Sequence, residues 1–187
     1  MHNVPYLEAV SLLMYTSLGT CPSISFTVEI VSQLLKNPAL MHWDDVKQIF
    51  HYLKGTMDLW LSHSEVNGNL VGYADMDGSM AKDRHAISRY AFMLYGGAVS
   101  WSAKWQEIIS LSTTKSKYIA VTHAAKEALW LCSLLLQVFP GKLDPTTLFS
   151  DNQSAVALAK DHQYHAHTKH IDIRFHFICY VIENSSI

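Results

Sequence analysis

Apolar and polar positions alternate along this chain in two rhythms. Over residues 5–61 the period is helical. Leu7, Val10, Leu13, Met14 and Leu18 recur at spacings of three and four before Gly19, which predicts a first helix opening near Pro5, a residue suited to a first helical turn. Ile24, Val28, Val31 and Leu35 form a second stripe, closed by Asn37-Pro38. Val46, Ile49, Phe50 and Leu53 form a third over 41–54, with Gly55 placed to follow the helix as its terminal residue. These helices carry no cluster of acids, nucleophiles or metal ligands, so 1–64 reads as a helical packing or connecting segment.

Past Gly68 the period shortens to two. NLVGYAD (69–75) reads as a strand, and YAFMLY (90–95), the turn Gly96-Gly97 and AVSWSAK (98–104) read as a hairpin, with 108–111 a further strand or a lead-in. A long helix, with room for one break, is predicted over 112–139; its apolar positions include Tyr118, Ala125, Ala128, Leu129 and Leu135, and Pro140-Gly141 ends it. TTLFS (146–150) is a short strand, 152–160 a helix, and 173–183 a last helix with Phe175, Ile178 and Ile182 on one side. The order assigns 65–187 to the α/β class, with no internal repeat.

Composition narrows the class. With 187 residues, 49% of them apolar and 16% charged, the chain can bury a core and global disorder is excluded. A net charge of −2 gives no general attraction to nucleic acid, so such binding needs a local patch. The three cysteines, Cys21, Cys132 and Cys179, form no paired motif, which fits a reducing compartment. Cys132 and Cys179 are expected as small buried hydrophobes. No leader pattern follows Met1, and the longest apolar run, 128–140, is short for a bilayer. The expectation is a soluble intracellular protein, cytoplasmic or nuclear, with no membrane partner.

Candidate chemistry lies in three acids. Asp75 and Asp151 close strands and Asp172 opens a helix. In α/β sheets reactive groups gather at strand C-termini. Carboxylates collected there repel unless a cation lies between them, and a hard dication such as Mg2+ suits oxygen ligands. Two such ions about 4 Å apart clamp a phosphate during in-line displacement. The same aspartates would equally serve as turn and N-cap residues.

The helix at 112 starts with the wrong charge. After a hydroxyl N-cap such as Ser112, a Glu or Gln three residues on completes a capping box. Here that residue is Lys115, and Lys117 follows. Both cations stand where the helix dipole favours anions by about 0.3–1 kcal/mol each.

VGYADMD, ISRYAFMLYGGAVSWSAKWQ, LSTTKSKYIA, AAKEALWL, SDNQSAVALAK and HTKHIDIRFHFI together resemble the ribonuclease H domain of copia-type retrotransposon Pol polyproteins. VPYLEAVSLLMY and NPALMHWDDVKQIFHYLKGT resemble the reverse-transcriptase tail and connection just before it. The resemblance implies a five-stranded mixed sheet flanked by helices, cleaving the RNA strand of an RNA–DNA hybrid. It also implies two Mg2+ ions held by Asp, Glu, Asp and a final Asp. The family's Y-[AS]-D motif falls on Asp75, its DNQSA motif on Asp151 and its KHID motif on Asp172. Its STAEAEY motif reads here STTKSKY, so Lys117 stands in the glutamate's place.

That exchange puts an ammonium, which has no lone pair to give, where a metal ligand belongs, and a neutral amine is also a poor Mg2+ ligand. Asp77, the second acid of ADMDGS, is expected to point away from the site. Arg89 replaces a family glycine, a costly change if a positive φ is needed, and Gly78 replaces a tryptophan. Asn152, Gln153, Lys169, His170 and Arg174 would contact a nucleic-acid backbone, giving salt-dependent affinity without sequence preference. Two readings stay open: an impaired hybrid nuclease, and a non-catalytic remnant that binds nucleic acid or nothing. A second implied partner is the polymerase part of a polyprotein; without it the apolar helices of 5–61 would be exposed and self-associate.

Two residue types have a less specific reading. His162, His165, His167, His170 and His176 crowd together but lack the paired spacing of a four-ligand zinc site. Trp43, Trp60, Trp101, Trp105 and Trp130 are expected as core rather than as base-stacking platforms.

Overall fold

Helix α1 spans Tyr6–Gly19; a single 3-10 turn, Pro22–Ile24, leads into α2 (Ser25–Ser32), and α3 covers Leu40–Gly55. Strands β1 (Val71–Asp77), β2 (Ile87–Leu94) and β3 (Gly97–Trp105) follow, then α4 (Thr113–Val138) and β4 (Thr147–Ser150). This computed structural model describes residues 4–63, 68–77, 86–107, 113–140, 145–153, 156–157, 177 and 181. Expectations at 108–111, and for Ser112, Gly78, Cys179 and the histidines of 162–176, lie outside the described residues.

The three N-terminal helices close on their own core. Tyr6, Ala9, Val10 and Leu13 of α1 meet Ile24, Val28 and Val31, with Val46 and Ile49 from α3. The Tyr6 hydroxyl donates to Val31 O at 2.9 Å, so the phenol that α1 carries into this core is bonded. The expected α1 stripe is therefore corrected: Leu7, Met14 and Leu18 are exposed. An apolar helix offers more than one plausible face, and partner geometry selects among them. Helix α2 is also shorter than its stripe, giving way to turns at 33–36, while Gly55 is the last residue of α3 rather than its successor.

Among the described residues the sheet has four strands in the order β3-β2-β1-β4, antiparallel except for the parallel pair β1–β4. The chain is thus mixed α/β. The β2–β3 turn is Tyr95-Gly96, with φ of 52° and 77°, one residue earlier than the glycine pair had indicated. Positive φ at both positions matches the twist of a two-residue hairpin.

One face of the sheet receives α4. Leu70, Ala74 and Phe92 pack on Ala124, Ala128 and Leu131, the small alanines letting the helix approach closely. A Cβ on Gly72 would overlap the Phe92 ring. Helix α4 runs unbroken and is long and apolar enough to cross a membrane by length and composition, but it buries its alanine face on the sheet as a core helix does. On the other face, the N-terminal helices dock against β3. Trp101 Nε1 donates to Ser17 O at 2.7 Å, and the Trp105 amide donates to Glu29 Oε1 at 3.3 Å.

Trp43 packs, half-buried, against the N-terminal core as expected, and Trp101 and Trp105 are half-buried, but Trp60 and Trp130 are 82% and 58% exposed, which corrects the expectation of core roles for those two. Trp130 shares α4 with buried neighbours but lies on the opposite side of the helix. Cys132 is half-buried, its Sγ 3.1 Å from Thr146 Oγ1.

Candidate functional site

Strand pairing and one helix turn assemble the site. Parallel pairing of β1 with β4 sets Ala74 beside Ser150, so Asp75 and Asp151, the next residue of each chain segment, come out as neighbours. Lys117 enters from the first turns of α4. Its Nζ lies 2.5 Å from both Asp151 Oδ1 and Oδ2 and 3.7 Å from Asp75 Oδ1. The Lys117 side chain is 14% exposed, the two carboxylates considerably more.

Arg89 completes the set. Antiparallel pairing places it directly across from Asp75, and its Nη2 donates to Asp75 Oδ2 at 2.7 Å. The guanidinium also sits over the Phe26 ring, 5.0 Å from its centroid. The result is an alternating series, Arg89–Asp75–Lys117–Asp151. Two carboxylates sharing one ammonium repel each other, and the cation between them offsets that repulsion. Beside them lies a groove of about 580 Å3 lined in part by Tyr73, Asp75, Arg89, Phe149 and Asp151. Tyr73 and Phe149 are each 51% exposed and stack with centroids 5.4 Å apart.

The structure thus brings Asp75, Asp151 and Lys117 together. Asp75 does not close its strand, however: β1 continues to Asp77. The expectation for Asp77 is also corrected. Residues two apart on a strand share a face, so Asp77 projects on the same side as Asp75. The strain expected of Arg89 in a family glycine's place is absent: the residue sits within β2, and the described positive-φ positions are Tyr95 and Gly96. Its role had one sequence signal, a lone cation within an apolar strand able to face an acid within another. Asn152 is half-buried and Gln153 exposed just beyond Asp151, at a helix start where the Val156 amide donates to Asn152 O at 3.0 Å. Asp172, Lys169, His170 and Arg174 lie outside the described residues.

These groups do not fit Mg2+. The ion demands oxygen ligands in near-octahedral array at about 2.0–2.1 Å, whereas an ammonium occupies the space between the two aspartates and an arginine holds the far oxygen of one. Among the described residues no three His, Cys, Asp or Glu side chains converge as a metal site.

Comparison with known proteins adds a second line of evidence. The retrovirus-related Pol polyprotein from transposon TNT 1-94 of Nicotiana tabacum is 40% identical over 190 residues, covering 100% of this chain and 14% of the polyprotein. Secreted RxLR effector protein 161 of Plasmopara viticola is 38% identical over 133 residues, covering 70% of this chain and 94% of the effector. The Pol polyprotein from transposon RE2 of Arabidopsis thaliana is 30% identical over 185 residues, covering 97% of this chain and 13% of the polyprotein. The chain therefore spans about one seventh of the length of these transposon relatives. No family model matches the chain, and no solved structure matches it significantly.

Proposed function

Since the chain belongs to the retrovirus-related Pol polyproteins of copia-type retrotransposons, we propose that residues 65–187 are a ribonuclease H-like domain that no longer cuts an RNA–DNA hybrid, with 1–64 its helical connection segment. The observation that carries this reading is Lys117 Nζ lodged between Asp75 and Asp151. The strand order β3-β2-β1-β4 with α4 on one face supports the architecture, and the separate core of α1–α3 supports the division at 64/65.

In a nuclease of this kind the metal pair would supply electrostatic stabilisation of the phosphate in flight. Here Lys117 and Arg89 hold the aspartates against each other, so their oxygens are spent on internal ion pairs. Catalytic groups that act as a unit lose orders of magnitude when one member changes. On this reading the hybrid remains a ligand rather than a substrate, with Asn152 and Gln153 beside the groove as backbone contacts. Free thiols at Cys21 and Cys132 suit a reducing intracellular setting.

Cleavage of a labelled RNA–DNA hybrid by the unmodified chain, Lys117→Glu and Lys115→Glu/Lys117→Glu, in Mg2+ and in Mn2+, tests the proposal. Cutting by the reverted proteins alone supports it. Cutting by the unmodified chain refutes the loss of activity. Silence from all three, each folded by circular dichroism, removes the ribonuclease reading.

A further inference from the structure

We propose that the polar block between β2, β3 and α4 binds a phosphate group, at a place separate from the Asp75–Asp151 site and independent of the nuclease reading. Antiparallel register sets Ser88 against Lys104 and Tyr90 against Ser102, four side chains on the sheet face that α4 approaches. His123 and Lys126, three residues apart on α4 and so on one side of it, come over the same block. Together the six line a cavity of about 190 Å3, ample for a tetrahedral oxyanion.

Packing alone does not account for this set. Where α4 covers β1 the face is apolar, with Ala74, Ala124 and Ala128 buried. Over β2 and β3 the same face turns to hydroxyls and cations. The neighbouring acid is already engaged: Ser100 Oγ donates to Glu127 Oε1 at 2.6 Å, and Tyr90 is hydrogen-bonded to Glu127 as well. Among the described residues no carboxylate lies within ion-pair distance of Lys104 or Lys126. Lys126 Nζ rests 5.7 Å from the Phe177 centroid, which positions the ammonium without neutralising it.

The donors suit phosphate. Ser88 Oγ accepts from Gln106 Nε2 at 2.8 Å, leaving its own proton to donate. The Ser102 hydroxyl is hydrogen-bonded to Tyr90 at the cavity wall, and the Ser88 hydroxyl and two ammonium groups offer donors from several directions. A tetrahedral oxyanion can use three or four of them at once; a planar carboxylate has only two oxygens. Charge-assisted bonds of this kind are the strong class.

The test is calorimetric titration at low ionic strength with inorganic phosphate, a 5′-mononucleotide and a dinucleotide carrying only a phosphodiester. The proteins are the full unmodified chain, Lys104→Gln/Lys126→Gln, and a control, Lys47→Gln/Lys54→Gln, that removes equal charge from α3. Saturable one-to-one binding that weakens about tenfold or more in the first double variant and holds in the control is expected. Preference for phosphate and mononucleotide identifies a free or terminal phosphate as the ligand; binding of the dinucleotide as well identifies a strand backbone. Absence of saturable binding to all three, or equal loss in the control, overturns the proposal. If the double variant does not fold, Ser88→Ala decides: several-fold weaker binding supports the site, and unchanged binding rejects it.

Discussion

Lys117 Nζ stands 2.5 Å from both carboxylate oxygens of Asp151, so one ammonium from α4 grips the segment that leaves β4. The same group reaches Asp75 on the neighbouring strand at 3.7 Å, which joins two elements paired in parallel.

Lys117→Met keeps most of the stem and removes the charge. The carboxylates are substantially exposed, so solvent screens much of the interaction. A loss of about 1 kcal/mol is expected at low salt, shrinking at high salt. Urea denaturation midpoints at two ionic strengths measure it, and an unchanged midpoint at low salt means that the bridge adds nothing net.

At Gly72 a methyl group would overlap the Phe92 ring and crowd Leu148. Overpacking of this sort costs about 1–3 kcal/mol. Gly72→Ala is therefore expected to lower the thermal midpoint, whereas Gly19→Ala, where a Cβ meets nothing within 4 Å, is not expected to do so through a clash.

Burial, then the charge of Glu127 and a hydrogen bond to it, push the Tyr90 phenol from 10.0 up to about 12. A folded-state value above the unfolded one means that the neutral phenol is the favoured form. Its contribution is complete below about pH 10 and is lost as pH rises from there through about 12. Stability measured across that window should fall more steeply for the unmodified chain than for Tyr90→Phe. Parallel alkaline profiles would contradict this.

Trp101 spans the two cores by donating to Ser17 O at 2.7 Å. Trp101→Phe keeps an aromatic ring, though a smaller one, and deletes the donor, with an expected cost of about 1 kcal/mol from the lost hydrogen bond. If chemical denaturation shows no change, water has replaced the indole at that carbonyl.

Much of this was legible from period and turn chemistry, because both act locally. The four strands and the α4 helix follow from alternation, from the alanine spacing and from the breaks that bound them. What the residues did not disclose depended on partners distant in the chain. The buried face of α1 was legible only in part, since Leu7, Met14 and Leu18 are apolar like Val10 and Leu13, and only the position of Val31 and Val46 selects between them. Within the site, Asp75, Asp151 and Lys117 were marked by their motifs. Arg89 escaped because its meaning lies in the β1–β2 register, which places it across from Asp75. Asp77 was misplaced for a simpler reason: strand periodicity, correctly applied, puts it with Asp75.

The parallel ladder between β1 and β4 has a consequence in time. Its first rung joins Val71 to Thr147, so it cannot close until β2, β3 and α4 have all been made. Local helices and the β2–β3 hairpin carry little loop-closure cost, while this rung carries the largest in the sheet. A nascent chain that has just released α4 already holds Asp75, Arg89 and Lys117, yet the charge series lacks its last member. The site is thus a late product of synthesis, complete only when the fourth strand docks.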